Sequence, residues 1–95
     1  MIAVVAGMNL KEGKEKEFLA QAEKVVAATR KEEGCIGYVC CKSADNPLGF
    51  AMVEKWESKD ALDAHMQTAH FKEFIAGTEA LTAGPADIKV FEVVI

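Results

Sequence analysis

The sequence is short of the residue types that most often mark a metal centre, a disulfide framework or a nucleic-acid interface. Aromatic residues make up 7% of the 95 positions, and only three residues are cysteine. An odd cysteine count without CxxC spacing indicates neither disulfides nor zinc, and it fits a reducing, cytoplasmic compartment. The net charge is −4 and no basic run alternates with aromatics, which argues against a groove for nucleic acid.

Several familiar catalytic motifs are also missing. The sequence contains no GxGxxG, Walker loop, HExxH or nucleophile elbow. The opening apolar run IAVVAG is too short to span a membrane and has neither a basic flank nor a cleavage pattern, so it predicts a strand. Residues 1–95 are too few for a second catalytic domain, and we expect one domain. If the protein is an enzyme, its substrate must bring much of the chemistry.

Apolar residues, at 51% of the chain, carry the structural pattern. Residues 2–10 alternate with the period of a strand. The segment after them has a single helical stripe, made of Phe18, Leu19, Ala22, Val25, Val26 and Thr29. Gly34 is a typical residue after a helix end. The pattern predicts a strand over 1–10, a helix over 14–33, strands over 35–42 and 50–56, a helix after the N-cap Ser58, a further helical piece over 71–78, and a strand over 87–94.

This order predicts a ferredoxin-like α+β fold, with four antiparallel strands and helices on one face of the sheet. The strands are nevertheless apolar on both faces, because alternation places further apolar side chains opposite the helices. A second copy packed sheet to sheet, a homodimer, would cover them. The alternative is an open sheet with scattered surface valines. The residues of this opposite face are Val5, Val39, Val53, Phe91 and Val93.

His65 is the candidate catalytic base. It lies in a row with Leu62, Met66 and Ala69 that indicates a buried helix edge, and an imidazole there can accept and return a proton near neutral pH. The alternative is a core histidine bonded to a backbone carbonyl. His70 follows five residues later, so on a continuous helix it would point elsewhere, and we predict no metal site.

A small pocket is predicted where the third strand faces the helices. Glu54 shares a strand face with Met52 and Trp56, and its carboxylate is either paired, at the sheet rim, or raised in pKa by burial. Trp56 is either a pocket wall or a core aromatic. With Phe71 and Phe74 from the helices, these residues would bind a flat, weakly polar ligand.

Three segments carry a resemblance to a known family. VEKWESKDALDAHMQTAHFKEF (53–74), EEGCIGY (32–38) and LKEGKEKEF (10–18) resemble the antibiotic biosynthesis monooxygenase family of small dimeric α+β barrel proteins. The most specific parts are the Glu-x-Trp pair with its following serine and the His-x4-His-Phe run. The resemblance implies a ferredoxin-like fold and a sheet-to-sheet dimer.

The resemblance further implies oxygenation of a hydroquinone or polyphenol by O₂ without flavin, haem or metal, as in quinol monooxygenases. His65 would then be the base or a proton relay, Glu54 would orient His65 or a ligand hydroxyl, and the aromatic and methionine side chains would shape the cavity. Two departures limit the match. Met52 stands where some antibiotic-pathway members have asparagine, and Ala6 stands near the asparagine of haem-degrading members. Haem degradation therefore ranks below quinol oxidation.

A different class of function remains open. A non-catalytic dimeric module that binds a small aromatic, or only supports a partner, is compatible with the same residues.

Overall fold

The chain folds into four strands, three helices and one 3₁₀ turn. A computed structural model describes all 95 residues. None of its helices has the length and hydropathy needed to cross a bilayer. The strands are β1 (Ile2–Asn9), β2 (Cys35–Lys42), β3 (Gly49–Trp56) and β4 (Asp87–Glu92); the helices are α1 (Glu15–Thr29), α2 (Lys59–Met66) and α3 (Ala69–Thr78), and the 3₁₀ turn is Glu79–Leu81.

The sheet is antiparallel, with the strand order β2-β3-β1-β4. Its register places Glu54 of β3 between Val4 of β1 and Tyr38 of β2, all on the face that the helices cover. Met52 lies between Ala6 and Cys40 on the same face. The predicted ferredoxin-like α+β fold is confirmed, and this register is what brings polar and apolar side chains together beneath the helices.

The hydrophobic core lies between this face and α1. Phe18 of α1 is fully buried, and its ring lies 5.1 Å from the Phe50 ring and 6.0 Å from the Phe74 ring, centroid to centroid. The predicted stripe of α1 is confirmed for its four buried residues, which include Ala22 and Val25, but its extension to Leu19 is wrong, because Leu19 is 42% exposed at the edge of the stripe. These contacts fix α1 and α3 against the sheet.

The prediction that the first helix runs to residue 33 is wrong, because α1 ends at Thr29. The backbone N–H groups of Lys31 and Glu32 donate to carbonyls three residues earlier, which tightens the chain into a turn. Gly34 then adopts a φ of 85° and leads into β2, as its identity predicts. The turn places the Glu32 side chain beside α2 and α3.

The face of the sheet opposite the helices is apolar and uncovered in the single chain. The exposed fractions are 39% for Val5, 43% for Val39, 41% for Val53 and 51% for Phe91. The last strand is shorter than predicted, since β4 ends at Glu92 and the N–H of the next residue already bonds to the carbonyl of Met1.

Candidate functional site

A cavity of about 560 Å³ lies between the sheet and α3. Met52 and Glu54 of β3 form part of its floor, and Phe71 and Phe74 of α3 form part of its roof. These are four of the residues predicted to shape a pocket. Tyr38, which was not among the candidates, joins them from β2. The result is a largely apolar space with a carboxyl group and a phenol at its floor.

Trp56 and His65 do not line this cavity, so the expectation that they face the ligand space directly is wrong. The two side chains are 0% and 1% exposed, and their rings pack at a centroid distance of 4.7 Å. Trp56 ends β3, where α2 follows at once, so α2 rather than α3 covers it. The rings of Tyr38 and Phe71 lie 5.5 and 5.0 Å from the imidazole and form the cavity wall in front of it.

Glu54 is the buried carboxyl group at the cavity. Its Oε1 accepts a hydrogen bond from the indole Nε1–H of Trp56 at 2.9 Å, and the residue is 7% exposed. Burial raises the pKa of Glu54, the Trp56 hydrogen bond partly offsets this, and the charge of Glu32 adds to the increase. Such a group exchanges a proton more readily near neutral pH than an exposed carboxylate does.

Of the two roles that the resemblance implies for Glu54, the contact with His65 is not formed, because His65 is bonded to Glu32 instead; a contact with a ligand hydroxyl group stays a prediction. Glu32 Oε2 lies 2.7 Å from His65 Nδ1 and 2.7 Å from His70 Nε2. The expectation that His70 points away assumed one continuous helix. The helix in fact breaks after Met66, and Thr68 caps a new one, which brings the second imidazole back to Glu32.

His65 is therefore a buried histidine held by a carboxylate, not by a backbone carbonyl as in the core alternative. Burial lowers the pKa of His65, and the hydrogen bond and charge of Glu32 oppose this effect. Its second nitrogen, Nε2, is buried and has no hydrogen-bond partner. Met66 and Ala69, predicted to share its buried row, are exposed because α2 ends between them.

Tyr38 adds a hydrogen-bonding group that the sequence reasoning missed. Burial raises the pKa of Tyr38, and the charges of Glu54 and Glu32 raise it further, so the phenol stays protonated. Its ring packs edge-on against Trp56 at 6.4 Å. Period-two alternation could have found it, because an outward Val39 requires an inward neighbour. Glu32 gave no such signal, since it lies in a turn without periodicity.

Comparison with known proteins places the fold and site in context. The sequence model of a family described as "Antibiotic biosynthesis monooxygenase" matches residues 1–77. A Bacillus subtilis protein, "Putative monooxygenase YcnE", is 35% identical over 93% of the chain and 93% of its own length. An Escherichia coli K12 protein, "Probable quinol monooxygenase YgiN", is 36% identical over 78% of the chain and 81% of its own length.

Other similar proteins include an uncharacterised protein, one named as an isomerase, and a solved structure. An uncharacterised Synechocystis protein is 34% identical, and the chain spans 63% of its length. An Escherichia coli protein named as an isomerase of (4S)-4-hydroxy-5-phosphonooxypentane-2,3-dione is 25% identical over 96% of the chain and 95% of its own length. The crystal structure of a conserved Methanosarcina mazei protein, 32% identical, superposes with a TM-score of 0.92 over 95% of this chain and 89% of that one.

Proposed function

Because the chain belongs to the antibiotic biosynthesis monooxygenase family, we propose that it uses O₂ to oxygenate a hydroquinone or another polyphenol-type aromatic. The family supports a monooxygenase-type role, and the printed name of the YgiN relative supports the quinol substrate class. The structural observation that carries the proposal is the apolar cavity with the buried Glu54 carboxyl group at its floor.

The size and lining of the cavity suit a flat aromatic molecule. A volume of about 560 Å³ falls within the range of about 300–1,000 Å³ usual for small-molecule sites. Met52, Phe71 and Phe74 offer apolar contacts to a ring, while Tyr38 and Glu54 offer a donor and an acceptor for its hydroxyl groups. This arrangement would orient a diol with one hydroxyl group against the carboxylate.

The reaction begins with proton transfer from a substrate hydroxyl group to Glu54. The resulting phenolate gives one electron to O₂, forming a semiquinone radical and superoxide, and these two recombine through a new C–O bond. The peroxide anion then takes the proton back from Glu54, which gives a hydroperoxide and restores the carboxylate. Loss of water from the hydroperoxide leaves a hydroxyquinone, so one hydroquinone and one O₂ yield one hydroxyquinone and one water. The protein supplies the base and orients the substrate in a largely apolar pocket.

His65 is proposed as a proton relay behind the cavity wall. Glu32 joins its Nδ1 to His70, whose side chain is 27% exposed, so the three groups connect the interior with solvent. The unpartnered Nε2 of His65 gives this relay a further atom that can take up or release a proton.

Oxygen uptake with a panel of hydroquinones tests these roles. Glu54→Gln should lower the rate by about 10²- to 10⁴-fold, the usual contribution of a general base. Glu57→Gln removes an exposed carboxylate outside the cavity and should leave the rate unchanged. A large loss in His65→Asn with none in Glu54→Gln would make His65 the base, and equal rates in all variants would overturn both roles.

The proposed functional unit is a homodimer formed through the apolar sheet face. The support is the row of exposed apolar side chains opposite the helices, which includes Val53. Val53→Lys should therefore produce a monomer in size-exclusion chromatography with light scattering. Leu19→Lys, at a position on α1 with a similar exposure of 42%, should leave the dimer intact. A monomeric wild-type protein would contradict this assembly.

A second candidate function is proton transfer without O₂. The isomerase-named relative favours it, and a buried carboxyl group such as Glu54 could move a proton between two carbon atoms. Conversion of a hydroxyketone substrate without oxygen uptake would support this alternative. Thermal stabilisation by a hydroquinone without any conversion would instead favour a non-catalytic binding module.

We also propose a cytoplasmic location. Cys35, Cys40 and Cys41 are all free thiols, and Cys41 is exposed. Exposed free thiols persist most readily in a reducing compartment, and cell fractionation would test the assignment.

A further inference from the structure

Three metal-ligating side chains converge beside the cavity, at the residues proposed above as a proton relay, so a cation bound there would replace that relay. His65 Nδ1 and His70 Nε2 lie 2.7 Å from the same atom, Glu32 Oε2. One ligand atom from each residue can be chosen so that all lie within 4.8 Å of one another. We propose that Glu32, His65 and His70 form a binding site for a divalent transition-metal cation.

The chemistry of the three groups selects the class of cation. Two imidazoles and one carboxylate suit Zn²⁺, Co²⁺ and Ni²⁺, whereas Mg²⁺ and Ca²⁺ prefer oxygen ligands alone. Three protein ligands leave a coordination position for water or a small anion. The His70 side chain is 27% exposed, which gives a cation a route to the site from solvent.

The geometry needs only side-chain adjustment. A cation at the present position of Glu32 Oε2 would lie 2.7 Å from both imidazole nitrogens. Metal–nitrogen bonds are about 2.0–2.1 Å, so each ring must approach by about 0.6 Å, while the carboxylate withdraws by about 2 Å. Glu32 lies in the turn after α1 and His70 in the first turn of α3, so side-chain rotation can supply these movements.

Metal binding would not increase the number of buried polar atoms without a hydrogen-bond partner. Without metal, a neutral His65 that donates from Nδ1 to Glu32 leaves its Nε2 unpartnered and buried. With metal on Nδ1, the ring proton moves to Nε2, and the number of unsatisfied buried atoms stays the same. The charge of Glu54 also acts on Glu32, and a second negative charge near the site favours a bound cation.

A Co²⁺ titration of the wild-type protein tests the proposal directly. His65 and His70 are the only histidines, so the imidazole signals in the proton NMR spectrum report on the site alone. We expect one Co²⁺ per chain, visible absorption from the bound ion, paramagnetic shifts of both imidazoles, and displacement of Co²⁺ by Zn²⁺.

Three variants sharpen the test. Glu32→Gln and His70→Asn should each weaken Co²⁺ binding by at least about tenfold. Glu33→Gln removes the neighbouring exposed carboxylate and should leave the affinity unchanged. The proposal is overturned if the wild type binds no stoichiometric Co²⁺, if only the His70 signals shift, or if a folded His70→Asn binds as tightly as the wild type. The wild-type results do not depend on whether a variant folds, nor on any oxygenase activity.

Discussion

Replacing Glu54 with glutamine should stabilise the protein, relative to the wild type, as the pH rises above about 4.5. Burial raises the pKa of Glu54 above its ordinary value of 4.5, against the opposing effect of the Trp56 hydrogen bond. The folded protein therefore binds this proton more tightly than the unfolded chain does. Stability from the group is fully present below pH 4.5 and is lost as the pH rises through the pKa of the folded state. Glutamine does not ionise, so the variant does not lose this stability.

The size of this stability difference follows from the same contacts. Below pH 4.5 the acid and the amide are both neutral, and each offers a carbonyl oxygen to the indole N–H of Trp56, which lies 2.9 Å from Oε1 in the wild type. The difference between the two proteins in the free energy of unfolding should then not change with pH. Above pH 4.5 this difference in the free energy of unfolding can increase by at most about 1.4 kcal/mol per pH unit. It becomes constant once Glu54 has ionised in the folded protein.

Urea denaturation between about pH 4 and pH 8 measures this gap. Trp56 is the only tryptophan and is fully buried, so its fluorescence reports unfolding. Glu57→Gln, at an exposed carboxylate, is the control and should show a constant difference from the wild type. A Glu54→Gln difference that stays constant or shrinks as the pH rises would refute the assignment of a burial-raised pKa.

Three further predictions concern the scaffold and use the same unfolding measurement. Phe18→Ala should cost about 3–5 kcal/mol, because its ring is fully buried, and a loss below about 1 kcal/mol would contradict the packing described. Gly34→Ala should lower the free energy of unfolding more than Gly13→Ala does. Both positions have positive φ, but only at Gly34 would the new Cβ lie 2.6 Å from another side chain, that of Ala61. Equal losses would show that this contact relaxes freely. Ser58→Ala should cost about 0.5–2 kcal/mol, since its hydroxyl caps α2 by accepting from the Ala61 N–H, and no loss would show that the cap is dispensable.

The fold was predictable because its elements follow simple periods. Alternation put Met52, Glu54 and Trp56 on one face of β3 and Val53 on the other, and the burial of these residues agrees. The helical row likewise indicated that His65 is buried. These inferences need only the direction of a side chain relative to its own element, which local sequence determines.

The arrangement of the site was less predictable because it depends on contacts between elements. No periodic signal tells that α2 covers Trp56 while α3 covers Met52, or that the chain breaks between His65 and His70. The partner of His65 is Glu32, thirty-three residues earlier in a turn whose conformation is set by packing. The sequence thus indicated the residue types of the site but gave no sign that Glu32 is the partner of His65.

Isotope labelling distinguishes oxygenation of the substrate from its simple oxidation. Wild-type protein is incubated with a panel of hydroquinones under ¹⁸O₂, and the products are analysed by mass spectrometry beside enzyme-free controls. We expect, for at least one substrate, a hydroxyquinone that carries one ¹⁸O atom, formed with one O₂ consumed per product and much more slowly by Glu54→Gln. Oxygen uptake no faster than autoxidation across the panel, or a quinone product free of ¹⁸O, would rule out the proposed oxygenation.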